Sequence, residues 1–515
     1  MCGIFLYASK CIDEKKLHEQ SELISHRGPD NSISFNVKID DFIFYLKFHR
    51  LSINGMTDKS NQPLSKKNYI LMCNGEIYNY RQLAKKYNVK LETQSDCEII
   101  IDLYDKLGIS MVDKLDGVFS FSLIDINKRE LIIGHDPFGI RSLYVGYDNK
   151  CFGLSSELKS LNEITGNIEL YKSGSISIIP FENLFNKPLI KPYYNFNYPI
   201  DESFEEYFII EQIKMKLEKS VEKRLIGERE FGCLLSGGLD SSIIASILCR
   251  LKGSKNIKTF SIGFKDSPDI LYSRKVSKFL KTDHTEVLIE PQDVFNVLEE
   301  CIYQIESHDV TTIRASVSMF LLSKFIKKNT NVKIIFSGEG SDEASGSYLY
   351  FHNSPDKQSF QNECIRLLKD VHIFDALRGD KTTSGCGLEI RVPFFDKDFI
   401  KFYMSIDPQK KMPRNGHEKY LLRKSFENDL PEEIVWRRKD GFSDGVSKID
   451  KPLYKLINEF TLKKYDMVEN VYYNLIFDKY YKNQRHTIPY QWLPKWSGDI
   501  LNPSGRLILE HSMKH

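Results

Sequence analysis

The sequence lacks the features typical of secreted, membrane-spanning or zinc-binding chains. Its ten cysteines form no Cys-x-x-Cys pair, and no zinc-ligand spacing is present, so reduced thiols are expected rather than a disulfide framework. No apolar run approaches the length that spans a bilayer. The first residues, MCGIFLYASK, lack the charged-then-apolar plan of a signal peptide. Together these absences favour a cytoplasmic protein.

The sequence also has no excess of positively or negatively charged residues. The chain has 72 Lys and Arg against 70 Asp and Glu, a net charge of +2. This balance gives no argument for a nucleic acid or an acidic membrane as partner. Repeats and long low-complexity tracts are absent as well. The 515 residues predict at least two domains.

The stretch FGCLLSGGLDSS at residues 231–242 is the most informative part of the chain. It predicts a buried strand, a glycine turn and a helix whose N-terminus faces an anion, of which phosphate is the natural candidate. No Gly-Lys-Ser/Thr closes the loop, so it is not a Walker A loop. Ser-Gly-Gly alone is also compatible with an ordinary strand-to-helix turn. The full run resembles the pyrophosphate loop of ATP pyrophosphatases.

The hydrophobic pattern changes near residue 200, where we place a domain boundary between residues 1–200 and 201–515. Short apolar or alternating runs before it predict strands at 4–8, 42–48, 69–73, 118–125 and 130–135, with helices near 15–24, 80–86 and 96–107. After it, a helical stripe precedes alternating strands at 231–235, 258–263, 285–289 and 332–336. This alternation predicts a parallel, doubly wound α/β sheet with its ligand site at the strand C-termini. Beyond residue 360 the pattern is mainly helical.

Cys2 is a candidate nucleophile if Met1 is removed, because its own α-amine can then serve as base. Its position alone favours the other interpretation, a buried cysteine that happens to be second. Four segments decide between these: HRGPD at 26–30, HRLSIN at 49–54, NGEIYN at 74–79 and SDCE at 95–98. With MCGIF they resemble the class II glutamine amidotransferase domain. That resemblance implies the αββα sandwich (an α+β fold) of the N-terminal-nucleophile (Ntn) hydrolases.

The resemblance implies a role for each residue of a glutamine pocket. Arg50 is expected to bind the carboxylate of L-glutamine, and Asp96 its ammonium group, with Glu76 a second acidic candidate. Asn74 and Gly75 are expected to form the oxyanion hole. The pocket would also be lined by the backbone of the segment Leu51, Ser52, Ile53 and Asn54. His26 and Arg27 are interpreted as structural or pocket-shaping.

Further stretches extend the resemblance to the whole chain. They are TFSIGF at 259–264, DVTTIRAS at 309–316, IIFSGEGSDE at 334–343, GLEIRVPFFDK at 387–397, WRRKDGFSDGVS at 436–447 and PSGR at 503–506. With the pyrophosphate loop they resemble the glutamine-hydrolysing asparagine synthetases, ligases of asparagine biosynthesis. DVTTIRAS separates these from β-lactam synthetases, which share the two-domain plan.

This resemblance implies an ATP site, a magnesium requirement and an aspartate site. The expected ATP-binding residues are Leu235, Ser236, Gly237, Gly238, Asp240, Ser241, Ser242, Ile262, Ser337, Gly338, Asp342 and Lys439. Asp240 and Asp342 are also candidate Mg²⁺ ligands. Glu339 is expected to support formation of β-aspartyl-AMP and the attack of ammonia on it. Thr312 and Arg314 are candidates for aspartate recognition, while Lys381 and Arg391 are weaker and are expected to brace the site.

The expected reaction makes L-asparagine from L-aspartate, L-glutamine and ATP, and a homodimer is a family expectation. One segment departs from the family: residues 344–348 read Ala-Ser-Gly-Ser-Tyr where bacterial relatives commonly have a Gly-Gly pair, and Ser347 is expected to tighten this turn. Two alternatives stay open at this point. One is another ATP-dependent synthetase on the same scaffold, which amidates or cyclises a different carboxylate. The other is a non-catalytic sensor of nucleotide or glutamine.

Overall fold

The computed structural model describes residues 1–498 and residue 504, and its first half contains two antiparallel six-stranded sheets. The strands, in chain order, are β1 (Gly3–Ser9), β2 (Asn31–Ile39), β3 (Phe42–Arg50), β4 (Leu64–Lys66), β5 (Tyr69–Ile77), β6 (Gly117–Asp125), β7 (Glu130–His135), β8 (Tyr144–Tyr147), β9 (Cys151–Ser155), β10 (Asn167–Leu170), β11 (Ser175–Pro180) and β12 (Lys191–Pro192). One sheet has the order β10-β8-β9-β1-β3-β2 and the other β12-β11-β7-β6-β5-β4.

The two sheets pack face to face and carry helices on their outer faces. Alternation along β1 turns Leu6 toward Met72 and Ile133 of the second sheet, in one buried cluster. The helices of this half are α1 (Glu14–Glu22), α2 (Tyr80–Lys86) and α3 (Ile99–Leu107). Leu17 of α1 packs in a cluster with Phe5 of β1, and the buried side of α3 packs with β5 and β6. The predicted four-layer αββα sandwich is confirmed.

A parallel sheet forms the centre of the second half. Its strands are β13 (Phe231–Leu234), β14 (Lys258–Phe264), β15 (Asp283–Ile289), β16 (Ile334–Phe336) and β17 (Glu389–Arg391), in the order β15-β14-β13-β16-β17. The strand order reverses between β13 and β16, which confirms the doubly wound topology. The loops that follow these two strands therefore meet at the switch point, where such folds bind ligands.

Helices surround this sheet and make up most of the remaining chain. They are α4 (Glu206–Lys223), α5 (Leu239–Lys252), α6 (Pro268–Leu280), α7 (Pro291–Ile305), α8 (Val310–Asn329), α9 (Ser341–Ser345), α10 (Lys357–Asp370), α11 (Asp375–Ser384), α12 (Lys397–Ser405), α13 (Pro408–Lys411), α14 (Tyr420–Ser425), α15 (Glu432–Val435), α16 (Phe442–Gly445), α17 (Leu453–Tyr465) and α18 (Glu469–Tyr480). Among the described residues, none of the helices is both long and apolar enough to cross a membrane.

Buried ion pairs join the two halves. The fully buried guanidinium of Arg27 contacts Glu157 at 2.8 Å and Asp380 of α11 at 2.9 Å, and its Nε donates to the Cys2 carbonyl at 2.9 Å. Burial alone would raise the pKa of Glu157, but Lys159, His26 and Arg27 outweigh it and hold that pKa well below its usual range. Lys381 of α11, which pairs with Glu306 of the second half, also donates to the Tyr144 hydroxyl of the first half at 2.8 Å. Arg27 and Lys381 therefore brace the contact between the halves.

Replacing Arg27 by Met should destabilise the protein strongly. The change leaves Glu157 and Asp380 with one buried cation fewer, and breaking a buried pair typically costs about 3–5 kcal/mol. Arg129→Met is the matched control, because Arg129 pairs with Asp40 at 3.0 Å on the surface, with both side chains about half exposed. Exposed pairs contribute about 1 kcal/mol or less. Chemical unfolding followed by fluorescence measures both, and equal effects of the two changes would contradict a stabilising role for Arg27.

Candidate active sites

Cys2 lies at the start of β1, against the second sheet and the loop after β3. Its backbone N–H donates to Asn74 Oδ1 at 3.0 Å, and its thiol contacts the Leu51 carbonyl at 3.7 Å. Burial raises the pKa of the thiol to about 11 in the chain that still carries Met1. Thiols with such a pKa are almost entirely protonated near neutrality and are poor nucleophiles. A nucleophilic role for Cys2 would therefore need a base that takes the thiol proton.

Met1 occupies the space where that base would be released. Its side chain is buried in the hydrophobic cluster that also includes Leu51, Ile53 and Val118. Its ammonium group donates to the Leu388 carbonyl at 3.3 Å, and burial lowers the pKa of that group to about 6. Removing Met1 would vacate this space and leave the free amine of Cys2 beside its own thiol.

Asn74 and Gly75 fit the predicted oxyanion hole. Asn74 is fully buried on β5 and uses its Oδ1 to accept from Cys2, while its Nδ2 has no hydrogen-bond partner among the described residues. A buried donor without a partner is unfavourable unless a ligand completes it. At Gly75 an added Cβ would lie 2.2 Å from the Val118 carbonyl oxygen, so only glycine fits there. Asn74 thus stands beside Cys2 with an unused donor, and Gly75 follows it directly on β5.

Arg50 ends β3 and is held by the loop that follows it. Its guanidinium donates to Asn61 Oδ1 at 2.6 Å and to the carbonyls of Thr57 and Asn54 at 3.2 and 3.1 Å. It also contacts the Gly55 carbonyl. These acceptors orient the planar fork, as recognition of a carboxylate requires.

The two predicted acidic residues are buried close to this loop. Asp96 accepts from the Ile77 backbone at 2.6 Å, and burial raises its pKa to about 6. Glu76 contacts the Asn54 amide, and burial followed by the charge of Asp96 raises its pKa well above the usual range. Arg391 reaches Glu76 at 3.8 Å from the second half of the chain. The predicted glutamine residues therefore form one connected group around Cys2.

A cavity lies at the switch point of the parallel sheet. All the predicted nucleotide-binding residues except Gly237 and Ser242 line it, and so does Glu339. Gly237 has φ +71° and passes so close to α6 that an added Cβ would lie 2.3 Å from the Ser273 nitrogen. Ser242 turns inward, where its hydroxyl donates to the Gly238 carbonyl at 2.7 Å. These two residues shape the loop, and the others face the cavity.

Two carboxylates in this cavity are held together by two lysines. Lys419 Nζ contacts Asp240 Oδ2 at 2.6 Å and also pairs with Asp342, and Lys439 Nζ contacts Asp342 Oδ2 at 2.6 Å. Burial would raise the pKa of Asp342, but the lysines outweigh it and hold that pKa far below its usual range. Asp342 is therefore ionised throughout the physiological range. Sequence reasoning missed Lys419, which lies outside every recognised motif.

The same two carboxylates bear on the magnesium prediction. Within residues 1–498, no cluster of three or more His, Cys, Asp or Glu could hold a metal by itself. Mg²⁺ in phosphate-transfer sites is usually held by one or two carboxylates together with phosphate oxygens. Asp240 and Asp342 fit that type of site.

Glu339 leaves β16 at the side of this cavity that faces α11. Its Oε1 accepts from Arg378 at 2.8 Å, and Arg378 also binds Asp375 at 2.7 Å. Burial raises the pKa of Glu339 despite the opposing charge of Arg378. A carboxylate with a raised pKa is better suited to accept a proton near neutrality. Arg378 is a second residue that the sequence did not point to.

The residues predicted to recognise aspartate lie outside the lining of this cavity. Thr312 donates to Asp309 Oδ2 through its backbone at 2.8 Å and its hydroxyl at 2.7 Å, and Arg314 pairs with Glu469. Neither is among the described residues that line the cavity, so their role in aspartate recognition stays a prediction. Ser347 does tighten its turn, because its hydroxyl donates to the Asp342 carboxylate. The PSGR segment lies outside the described residues except for Ser504.

Comparison with known proteins covers both halves of the chain. The family profile described as a glutamine amidotransferase domain matches residues 1–182. The profile described as asparagine synthase matches residues 212–366 and 353–504. The chain is similar to the glutamine-hydrolysing asparagine synthetase of Gallus gallus, with 36% identity over 559 residues that cover 99% of this chain and 98% of that protein. The corresponding proteins of Cricetulus griseus and Homo sapiens are 36% and 35% identical, each with 99% of both chains covered. The chain therefore belongs to the glutamine-hydrolysing asparagine synthetase family.

Proposed function

We propose that this chain makes L-asparagine from L-aspartate, L-glutamine and ATP, and releases L-glutamate, AMP and pyrophosphate. The observation that carries this proposal is the position of α11 between the two sites. Arg378 of this helix contacts Glu339, and Asp380, two residues on, contacts the Arg27 side chain that holds Cys2. One short helix thus touches a thiol site that can release ammonia and a nucleotide site that can consume it.

Glutamine is hydrolysed at Cys2 after Met1 has been removed. The α-amine takes the thiol proton, and Sγ attacks the side-chain carbonyl carbon of glutamine. Asn74 and Gly75 stabilise the oxyanion, and the carbon–nitrogen bond then breaks as the amine returns the proton to the leaving ammonia. Water cleaves the thioester and releases glutamate. Arg50 and Asp96 hold the carboxylate and the ammonium group of the substrate.

Aspartate is activated in the cavity of the second half. Its side-chain carboxylate attacks the α-phosphorus of ATP, and pyrophosphate leaves with both remaining phosphates. Ammonia then attacks the carbonyl carbon of the mixed anhydride, AMP leaves, and Glu339 accepts the excess proton. Lys439, together with the N-terminus of α5, stabilises the negative charge of the departing pyrophosphate. Mg²⁺, held by Asp240 or Asp342 with phosphate oxygens, would screen the phosphate charges.

Cys2→Ala should abolish glutamine-dependent synthesis and leave ammonia-dependent synthesis within about two-fold of wild type. Loss of a covalent nucleophile lowers turnover by at least about 1,000-fold, whereas the nucleotide site keeps all its residues. The measurement is the release of glutamate and asparagine, with glutamine and with ammonia as the nitrogen source. Cys11→Ala is the control, since Cys11 is an exposed free thiol. A Cys2→Ala enzyme that still hydrolyses glutamine would contradict the nucleophile assignment.

The pH profile of glutamine hydrolysis should report the buried carboxyl of Asp96. Its pKa of about 6 means that the carboxyl becomes protonated below that pH and no longer pairs with the substrate's ammonium group. The kcat/KM for glutamine, which follows the free enzyme, should therefore fall below about pH 6. Asp96→Asn should lower kcat/KM about 10- to 100-fold near neutrality, as expected for a lost charged hydrogen bond. A profile that stays level down to about pH 5 would contradict this role for Asp96.

A further inference from the structure

The second half of the chain holds the backbone of the loop that lines the predicted glutamine pocket. We call residues 51–55 the pocket loop. Arg229 Nε donates to the Ser52 carbonyl at 2.8 Å, and the Glu228 backbone N–H donates to the Ile53 carbonyl at 2.9 Å. In the opposite direction, the Gly55 N–H donates to Glu228 Oε1 at 3.1 Å. Three anchor points on the pocket loop, at Ser52, Ile53 and Gly55, thus come from two adjacent residues.

Asp30 completes this arrangement from the first half. Its Oδ2 accepts from the Ser52 N–H at 2.8 Å and from Arg229 at 3.1 Å, while its own N–H donates to the Arg50 carbonyl at 3.0 Å. Arg229 and Asp30 are partly buried, with 31% and 24% of their side chains exposed. Both backbone polar groups of Ser52 are therefore fixed, one by each of these side chains.

The pocket loop is where small displacements would matter most for glutamine. Its Leu51 carbonyl contacts the Cys2 thiol at 3.7 Å, and its Asn54 carbonyl accepts from Arg50 at 3.1 Å. The Asn54 side chain contacts Glu76. Gly55 has φ +63°, a left-handed conformation that favours glycine and sets the direction in which the loop leaves the pocket. One short loop thus links the nucleophile to Arg50, which is expected to bind the substrate's carboxylate, and to Glu76, the second acidic candidate for its ammonium group.

We propose that Glu228 and Arg229 are positioning residues for glutamine hydrolysis, supplied by the half of the chain that binds ATP. They hold the pocket loop so that Cys2 and Arg50 face the same substrate molecule. β13 begins at Phe231, two residues after Arg229, and leads into the phosphate-binding turn at Ser236. The inference rests on the proposed glutamine site, and it adds residues outside the amidotransferase half to that site.

Steady-state kinetics of the full-length enzyme tests this inference. Arg229→Ala should raise the glutamine KM about 5- to 20-fold, because it removes one donor to a carbonyl and one partly exposed ion pair. Ammonia-dependent synthesis and the KM values for ATP and aspartate should stay within about two-fold. Arg229→Lys keeps the charge beside Asp30 and should recover part of the loss. Arg250→Ala is the matched control, since Arg250 pairs with Glu218 at 2.6 Å on the surface of α5.

Glu228 provides an independent pair of variants. Glu228→Gln keeps an oxygen that accepts from Gly55 and should stay close to wild type, whereas Glu228→Ala should raise the glutamine KM. A wild-type glutamine KM in both Arg229→Ala and Glu228→Ala would overturn the inference. So would an equal loss of ammonia-dependent synthesis in these variants, which would indicate a role in folding alone. Arg50→Ala, measured alongside, distinguishes failure of this inference from failure of the proposed glutamine site. An unchanged glutamine KM in Arg50→Ala would contradict the glutamine site itself.

Discussion

The buried carboxylate of Asp380 fixes how the two halves of the chain meet. It accepts from Arg27 at 2.9 Å and from Ser142 at 2.8 Å, and both donors belong to the amidotransferase half. The helix that carries it, α11, packs against α8 and against β17 of the parallel sheet. Removing such a charge from water is unfavourable unless every partner is present. The arrangement therefore specifies one relative position of the halves, and that position brings Cys2 and Glu339 to the same helix.

The two sites treat their carboxyl groups in opposite ways. Around Cys2, burial raises the pKa of Asp96 and Glu76, and the positive charge of a bound substrate would favour the ionised form of both. Around the phosphate loop, Lys419 and Lys439 keep Asp342 ionised before any ligand arrives. The first environment suits recognition of a small zwitterion. The second suits a highly charged ligand whose counter-ions must already be in place.

Strong local patterns predicted most of the fold and the family, whereas long-range pairings could not be predicted. The strands beginning near residues 42, 118 and 258 were found because apolar runs end at turn residues. β2 was missed because it is an edge strand with mostly exposed side chains, and β17 because charged Glu389 and Arg391 are buried through pairing with each other and with distant groups. Lys419 and Arg378 act through partners far along the chain. The domain boundary, the homodimer, the cytoplasmic location and the individual site roles stay predictions.

The fate of the oxygen atoms of aspartate tests the central claim, that the loop after β13 supports attack at the α-phosphorus. Aspartate with a heavy-oxygen label in its side-chain carboxylate should be converted in the presence of ATP and ammonia, and the phosphorus products analysed by mass spectrometry. One labelled oxygen should appear in AMP, because the acyl–oxygen bond of the anhydride breaks when ammonia attacks. Label in inorganic phosphate, with ADP as the other product, would contradict the account.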